Sequence, residues 1–345
     1  MNDVKSKVSI VFLAYNTLSK LGRKSLKLVI ESILRQKYPN FMFVVVDNGS
    51  LDDTASYAKN LLSNYSHVDF HVIKLPRNYG YAGGNNAGAV YSILHGAEYL
   101  FFMNDDVVLL NENLITVLLK ALEEDESLGA VQPLIMNRDG TLNCGFRCGL
   151  SSIPKMSNDG RGIFYVSGAA LLTRAKTFLE VGMFDSDFFL YHDDVDYAWR
   201  LRLSGYKVKC VKSVRVYHIG SATLGVESPT YYRYMLRNVV WTLVKNSSMK
   251  TLTLRLALLV VESIISFLLH HLIIRRDPIL AKAVVQGLFE GMASLKKATS
   301  KRALIQRARK VSEEDIDGAM SPEVDLELLI PRSVRQWLGK CAPRR

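Results

Sequence analysis

Three short acidic groups stand where apolar runs stop: Asp47 after residues 43–46, Asn104-Asp105-Asp106 after 99–103, and His192-Asp193-Asp194-Val195-Asp196 after 188–190. Carboxylate oxygens gathered this way suit a hard divalent cation and, through it, a phosphate. In an open, mostly parallel sheet the carboxyl ends of the strands border one crevice, so Asp residues ending different strands converge there. Asp and Asn also start turns and cap helices. That role accounts for one such group more readily than for three in one alternating region.

The elements that must hold these groups alternate from residue 8 to about 216. Strand-like segments are expected at 8–14, 42–46, 71–75, 99–103 and 130–136, with helices at 26–36, 52–62, 80–94 and 111–122. Residues 137–162, rich in Gly, Asn, Ser and Arg, read as a loop or small hairpin near the crevice. Regularity returns at 163–173, followed by a helix at 175–181. The pattern predicts an α/β fold with helices on both faces of a mainly parallel sheet.

The character changes after Gly220. A helix is expected at 231–245, and 252–274 is almost wholly apolar, its polar residues Arg255, Glu262, Ser266 and His270 falling on one narrow helical stripe. Nineteen residues, 256–274, reach the length of a bilayer span, but Glu262, His270 and His271 make a simple span costly. A helix lying in the membrane interface, or paired with its neighbour, fits better. That neighbour opens at Asp277-Pro278, an N-cap followed by proline, and runs to about Lys297.

The chain has 345 residues, 48% hydrophobic and 22% charged, which suits a folded globular protein with one large core. Its net charge of +11 is concentrated in 231–310, where fifteen Lys or Arg face three Asp or Glu. With few aromatics after Trp241, this region suits anionic lipid rather than nucleic acid. Cys144, Cys148, Cys210 and Cys341 form neither a disulfide framework nor a zinc motif. No signal peptide is read at the N-terminus, and a cytoplasmic location, peripheral on the cytosolic face of the membrane, is expected. Domains are expected at 1–226 (catalytic) and 227–310 (membrane-associating), with a tail at 311–345.

Transfer of a sugar from a nucleotide needs a pocket for the base and ribose, a cation on the diphosphate, and a carboxylate to deprotonate the acceptor hydroxyl. Asp47 can accept from a nucleobase N–H, and the Gly49-Ser50 turn after it opens a helix whose N-terminus favours anions. Asp106 leads as ligand for Mg²⁺ or Mn²⁺, and Asn104 can contact ribose. Asp194 can take the acceptor's proton. Asp193 and Asp196 can bind acceptor, orient Arg200 and Arg202, or cap the helix.

These residues reach a known pattern. Residues 9–16 (SIVFLAYN), 45–54 (VVDNGSLDDT), 77–88 (RNYGYAGGNNAG), 101–108 (FFMNDDVV), 166–174 (VSGAALLTR) and 181–205, with Tyr217-His218, resemble inverting glycosyltransferases of family 2, and especially their rhamnosyltransferase-like branch. The resemblance covers about 8–221 and implies the GT-A fold, a divalent cation (Mg²⁺ or Mn²⁺), and a dTDP-, UDP- or GDP-linked sugar donor. It implies that Asp47 and Asn78 border the nucleotide, Asp106 binds metal and Asp194 is the base. His218 matches a position where some relatives place a further metal ligand. The matched segments add Tyr15, Asn16, Asn48, Gly83 and Asp105 as donor-side candidates, and Gly168, Asp196 and Arg200 on the side of a lipid-linked or polysaccharide acceptor. Asn104 and Asp193 stand where many relatives have Asp and Glu, which leaves the sugar open.

Residues 80–88 lack the Gly-x-Gly-x-x-Gly order of a dinucleotide fold. A sugar nucleotidylyltransferase would share a carboxylate-bound Mg²⁺ on a similar sheet, but needs a basic N-terminal signature for triphosphate; Arg23 and Lys24 are its only candidates. An inactive membrane-bound scaffold of the same fold is the reading from another class.

Overall fold

The computed structural model describes residues 5–66, 68–220 and 228–321. The expected boundary at 226/227, and Trp337 and Cys341 in the tail, lie outside the described residues. The strands are β1 (Val8–Ala14), β2 (Phe41–Asp47), β3 (Asp69–Lys74), β4 (Tyr99–Asn104), β5 (Val107–Leu109) and β6 (Leu128–Asn137). They continue with β7 (Leu142–Asn143), β8 (Phe146–Cys148), β9 (Pro154–Met156), β10 (Ala170–Arg174) and β11 (Lys207–His218). Between them run helices α1 (Thr17–Leu34), α2 (Thr54–Leu62), α3 (Gly80–Leu94), α4 (Leu114–Glu123), α5 (Ala175–Glu180) and α6 (Asp193–Leu203).

A nine-stranded sheet runs in the order β3-β2-β1-β4-β10-β6-β11-β5, with β7 beside β6. Strands β3, β2, β1 and β4 are parallel, and the near-continuous apolar runs of β1, β2 and β4 are what a strand covered on both faces requires, whereas β3 is a half-buried edge strand. One face packs on α1, whose Leu26, Val29, Ile30 and Ile33 recur at helical spacing; the other packs on α3. Helix α3 lies so close to the sheet that a side chain at Gly88 would meet Val11 at 2.5 Å and Val46 at 2.7 Å. The glycine-rich segment is thus a helix–sheet contact.

The other half departs from the parallel expectation. Strand β10 is antiparallel to both β4 and β6, and β5 is antiparallel to β11. Residues 163–173, expected to be regular throughout, form a strand only from Ala170. Residues 137–162 hold the expected small hairpin, β8 with β9.

The chain continues into α7 (Pro229–Asn246), α8 (Met249–Glu262), a wider π-helical stretch (Ser263–Ile274), α9 (Pro278–Ala293), α10 (Leu295–Arg307) and α11 (Glu313–Ala319). Asp277 caps α9 as expected, its side chain accepting from Ile279 and Leu280. A core of Phe164, Trp199, Leu236, Val239, Leu259, Val284 and Ile316 joins these helices to α6. The polar stripe of α8 points inward. Arg255 is buried against Glu313, Asp317 and Trp199, and Glu262 accepts from buried Ser151. The outward face carries Leu254, Val260, Val261, Ile264, Leu272 and Ile273. By length and composition alone Met249–Ile273 could cross a membrane.

Candidate active site

Parallel registration brings the strand ends to one edge: Ala14 of β1 lies opposite Asp47 of β2, and Leu13 opposite Asn104 of β4. Asp47 is fully buried. One carboxylate oxygen accepts from the Ser50 N–H at 3.0 Å, closing the turn at Gly49, while the other, Oδ2, has no hydrogen-bond partner among the described residues. Asn16, in the left-handed region at φ 50°, accepts from the Leu51 N–H at 2.7 Å and ties the β1–α1 loop to this turn. Tyr15 lies beside it with Lys20 over its ring.

The middle acidic group is built by the short strand β5, whose pairing with β11 sets His218 opposite Val107. His218 Nε2 thereby stands 3.2 Å from Asp106 Oδ1. The pair is too poorly aligned for a hydrogen bond, and neither buried atom has a hydrogen-bond partner among the described residues. Burial would favour the neutral imidazole, but Asp106 and then Asp105 outweigh it and raise the His218 pKa. Asp105 is pushed up to about 6, by burial first and Asp106 second, with Thr17 donating to its carboxylate in opposition. Burial lowers Lys20 although Asp105 and Asp106 face it. A carboxylate and an imidazole facing one another without partners are hard and borderline donors suited to Mn²⁺ or Mg²⁺. Among the described residues no three His, Cys, Asp or Glu are gathered closely enough to enclose an ion unaided. Such a pair leaves coordination positions for phosphate oxygens and water.

The third group opens α6, where the positive end of the helix dipole favours carboxylates. Its members separate sharply. Asp194 is half-buried; Oδ2 accepts from the Gly168 N–H at 3.1 Å and Oδ1 from the Val195 N–H at 2.9 Å. Burial raises its pKa despite these donors. Gly168 has no room for a side chain, since Tyr81 Oη would lie 2.3 Å from its Cβ, and the Tyr81 hydroxyl donates to the Gly168 carbonyl. The neighbouring Ala169 carbonyl accepts from the Asn104 N–H at 3.1 Å, bringing the Asp194 side of the crevice against the end of β4. Asp193 is buried, with Oδ1 unpartnered and its pKa raised by burial and then by Asp194.

Three expectations are corrected. Asp196 and Arg200 face inward: fully buried Asp196 binds Arg200, Lys245 and Asn246, so neither it nor Arg200 is available to an acceptor. Buried Asn48 has its amide spent on Asn78, the Gly80 carbonyl and the Tyr79 N–H, so it shapes the donor loop instead of reaching a donor. Gly83 lies in the first turn of α3 against Tyr79, and Asn78 holds Asn48 and the Gly80 N–H. The basic stretch is likewise partly structural, since Lys245 and Lys301 pair with Asp185, Lys297 with Asp187, and Arg302 donates to the Val244 carbonyl. Thr17 and Lys20 escaped sequence reading; their signal was a helix start at Thr17, just past the end of β1 at Ala14.

Residues 9–195, over half of the chain, match the family described as Glycosyl transferase family 2. The low-salt glycan biosynthesis hexosyltransferase of Haloferax volcanii is 26% identical over 172 residues, covering 46% of this chain and 53% of the relative. Poly-beta-1,6-N-acetyl-D-glucosamine synthase of Staphylococcus aureus is 23% identical over 258 residues, covering 71% and 59%. The chain therefore spans little more than half the length of these curated relatives. A mannosyltransferase from Pyrobaculum calidifontis, solved with GDP-Man and Mn²⁺, superposes with a TM-score of 0.53 at 15% identity, covering 98% of this chain and 84% of that one, a likeness of fold. With its mixed sheet, its strand-end carboxylates and this match, the chain has the GT-A fold and belongs to glycosyl transferase family 2, the glycosyltransferases.

Proposed function

We propose that the protein transfers a hexosyl or 6-deoxyhexosyl group, with inversion, from a nucleoside diphosphate to a hydroxyl of a lipid-linked or polysaccharide acceptor. One observation carries this reading: half-buried Asp194, fixed by two backbone N–H groups, belongs to the edge that holds Asp47 at the end of β2 and Asp106 in the turn after β4, joined to it by the Asn104–Ala169 hydrogen bond. Asp47 Oδ2 is the acceptor for a nucleobase N–H, with Tyr15 and Asn16 following the end of β1 beside it and Asn104 one register position away across β1. Asp106 and His218 would hold Mg²⁺ or Mn²⁺. When bound, the ion supplies positive charge to offset the negative charge developing on the departing diphosphate. Asp194 accepts the proton of the acceptor hydroxyl, and the oxygen thereby made nucleophilic attacks the anomeric carbon from the face opposite the diphosphate. The Gly168 and Val195 N–H groups orient the base. Asp105, Asn78 and Gly83 complete the donor side, and Gly168 borders the acceptor.

The Mn²⁺ and GDP-Man of the structural relative and the glycan-building names of the sequence relatives favour this reading over nucleotidyl transfer. The acceptor's lipid is inferred from the outward apolar face of α8, its π-helical continuation and α9, where Leu254, Ile273 and Phe289 are 59%, 66% and 71% exposed. Exposed Lys250, Arg276, Lys282 and Lys296 flank that face and would meet anionic headgroups on the cytosolic side of a membrane.

The test is release of nucleoside diphosphate from a panel of UDP-, GDP- and dTDP-sugars with Mn²⁺ or Mg²⁺. Release dependent on acceptor and on Asp194 supports transfer; release of pyrophosphate from a nucleoside triphosphate and a sugar phosphate would instead make the protein a nucleotidylyltransferase. No turnover of any donor would leave the inactive scaffold.

A further inference from the structure

The five residues before the acidic turn of α6 form an unusual backbone. Phe189, Tyr191 and His192 all lie in the left-handed region, at φ 69°, 65° and 68°, a conformation that non-glycine residues hold only when their surroundings impose it. Buried Asn238, in the middle of α7, faces this segment. Its Nδ2 stands within hydrogen-bond distance of three carbonyls in it, Phe188 at 3.2 Å, Leu190 at 2.8 Å and Tyr191 at 2.8 Å, so that one of its two protons is shared between two of them. Its Oδ1 accepts from Arg237 Nε at 2.9 Å, and Arg237 also donates to the Phe188 carbonyl. On the other side the Phe189 carbonyl accepts from the Tyr81 N–H at 2.6 Å, and the Tyr81 hydroxyl holds the Gly168 carbonyl, whose own N–H fixes Asp194. A chain of hydrogen bonds thus runs from α7 through the left-handed segment and Tyr81 to the carboxylate. Helix α7 also grips both flanks, since Lys245 binds Asp185 before the segment and Asp196 after Asp194.

We propose that Asn238 is a positioning residue for transfer: it sets the backbone that aims Asp194, so the helices beyond residue 228 are a working part of the catalytic unit. A three-carbonyl clamp is the specific feature. Asn supplies two N–H donors at the end of a short, stiff side chain, which Leu, Ala or Asp cannot replace. The inference rests on Asp194 being the base. It assigns Asn238 no contact with donor, metal or acceptor.

Asn238→Ala and Asn238→Asp in the full chain test it, with Arg237→Leu as a milder variant that removes one donor to Phe188. The readouts are kcat and KM with the donor that the panel identifies, and calorimetric binding of that donor's nucleoside diphosphate in Mn²⁺. Expected is a fall in kcat of about 10- to 100-fold, the scale of a slight misplacement of a reacting group, with nucleoside diphosphate binding unchanged. In an Asp194→Asn background, Asn238→Ala should cost nothing further, because the group it aims is already gone. Unchanged kcat in both Asn238 variants and in Arg237→Leu overturns the inference, as does an equal fold loss in the Asp194→Asn background or a parallel loss of nucleotide binding. An Asp194→Asn protein with full turnover instead refutes the base assignment on which the inference stands.

Discussion

The sheet and the helix after Met249 differ in what they bury, for the helix takes charged and polar side chains inside and leaves a row of apolar ones exposed. In β1, β2 and β4 the interior is Val, Ile, Phe and Met, and polar groups collect at the strand ends where the crevice opens. In α8 and its continuation the buried side holds Arg255, Glu262, Ser263 and His271 beside Leu259 and Phe267, while Leu254, Val260, Val261 and Ile264 face outward. An ordinary core helix would reverse this, because an isolated buried charge is costly and an exposed apolar stripe gains nothing in water. Arg255 escapes that cost by pairing with Glu313 and Asp317. The comparison teaches that the helices beyond 228 meet the catalytic layer through ion pairs of Lys245, Lys297 and Lys301 as well as through a shared apolar core, while a second set of their apolar residues stays exposed.

The largest effect should come where the two regions meet at the base. Asp194→Asn should keep the fold and nucleoside diphosphate affinity and lower turnover by about 10²- to 10⁴-fold, the usual scale of general-base catalysis, with Asp193→Asn costing less. Because burial raises the Asp194 pKa, and only the ionised carboxylate takes a proton, kcat/KM should fall on the acid side at a pH above the ordinary carboxylate range. An acid limb centred near pH 4, or a more damaging Asp193 substitution, would assign the base elsewhere.

Next comes the fastening itself. Lys245, 1% exposed, binds Asp185 and Asp196, so Lys245→Met takes their shared partner from two buried carboxylates, leaving Asp185 to Lys301 and Asp196 to Arg200, and should cost about 3 kcal/mol in denaturant unfolding. Burial alone would raise both acids, but Lys245, with Lys301 at Asp185 and Arg200 at Asp196, outweighs it and holds them below the usual range. Their contribution is therefore complete above the unfolded carboxylate pKa and lost as pH falls toward the folded values. The variant should flatten that acid loss. A variant as stable as the parent would mean that desolvation cancels the pairing.

These fastenings were the part the sequence concealed. Strands β1, β2 and β4 were legible because a strand covered on both faces must be one short apolar run, and the crevice residues because they end such runs. Strand β5 was missed: its three residues follow Asp106 directly and read as part of the acidic group. The antiparallel β10 depends on a crossover that local pattern does not encode. Asp196 and Arg200 were read toward the acceptor because their partners are remote in sequence, Lys245 standing 49 residues from Asp196. Periodicity can mark a polar residue as facing a given side of a helix, but it cannot say that the far side holds the matching charge.

A smaller effect separates the metal donors. Asp106→Ala should abolish Mn²⁺ dependence of nucleoside diphosphate binding, and His218→Ala should weaken it roughly tenfold, the scale of losing one supporting group around an ion. Binding equally tight in chelator and in millimolar Mn²⁺ would remove the ion from the reaction scheme.

The smallest effects per residue belong to the outward face. Lys297, Lys301 and Arg302 are engaged within the protein, so reversing their charge would confuse lipid contact with loss of packing. Lys250, Arg276, Lys282 and Lys296 are the better probes, each worth about 1 kcal/mol near an anionic surface. Liposomes rich in phosphatidylserine should bind the parent, more weakly but still measurably in high salt, because salt screens the lysines and arginines and leaves burial of the apolar face intact. Reversal of all four charges should remove the salt-sensitive part, and Val261→Ser with Phe289→Ser the remainder, with turnover on a water-soluble acceptor unchanged in each. If the serine pair instead converts a stable dimer to a monomer and leaves liposome binding untouched, the apolar neighbour is a second copy of the chain, and the contrast between the two regions describes an oligomer interface in place of a lipid one.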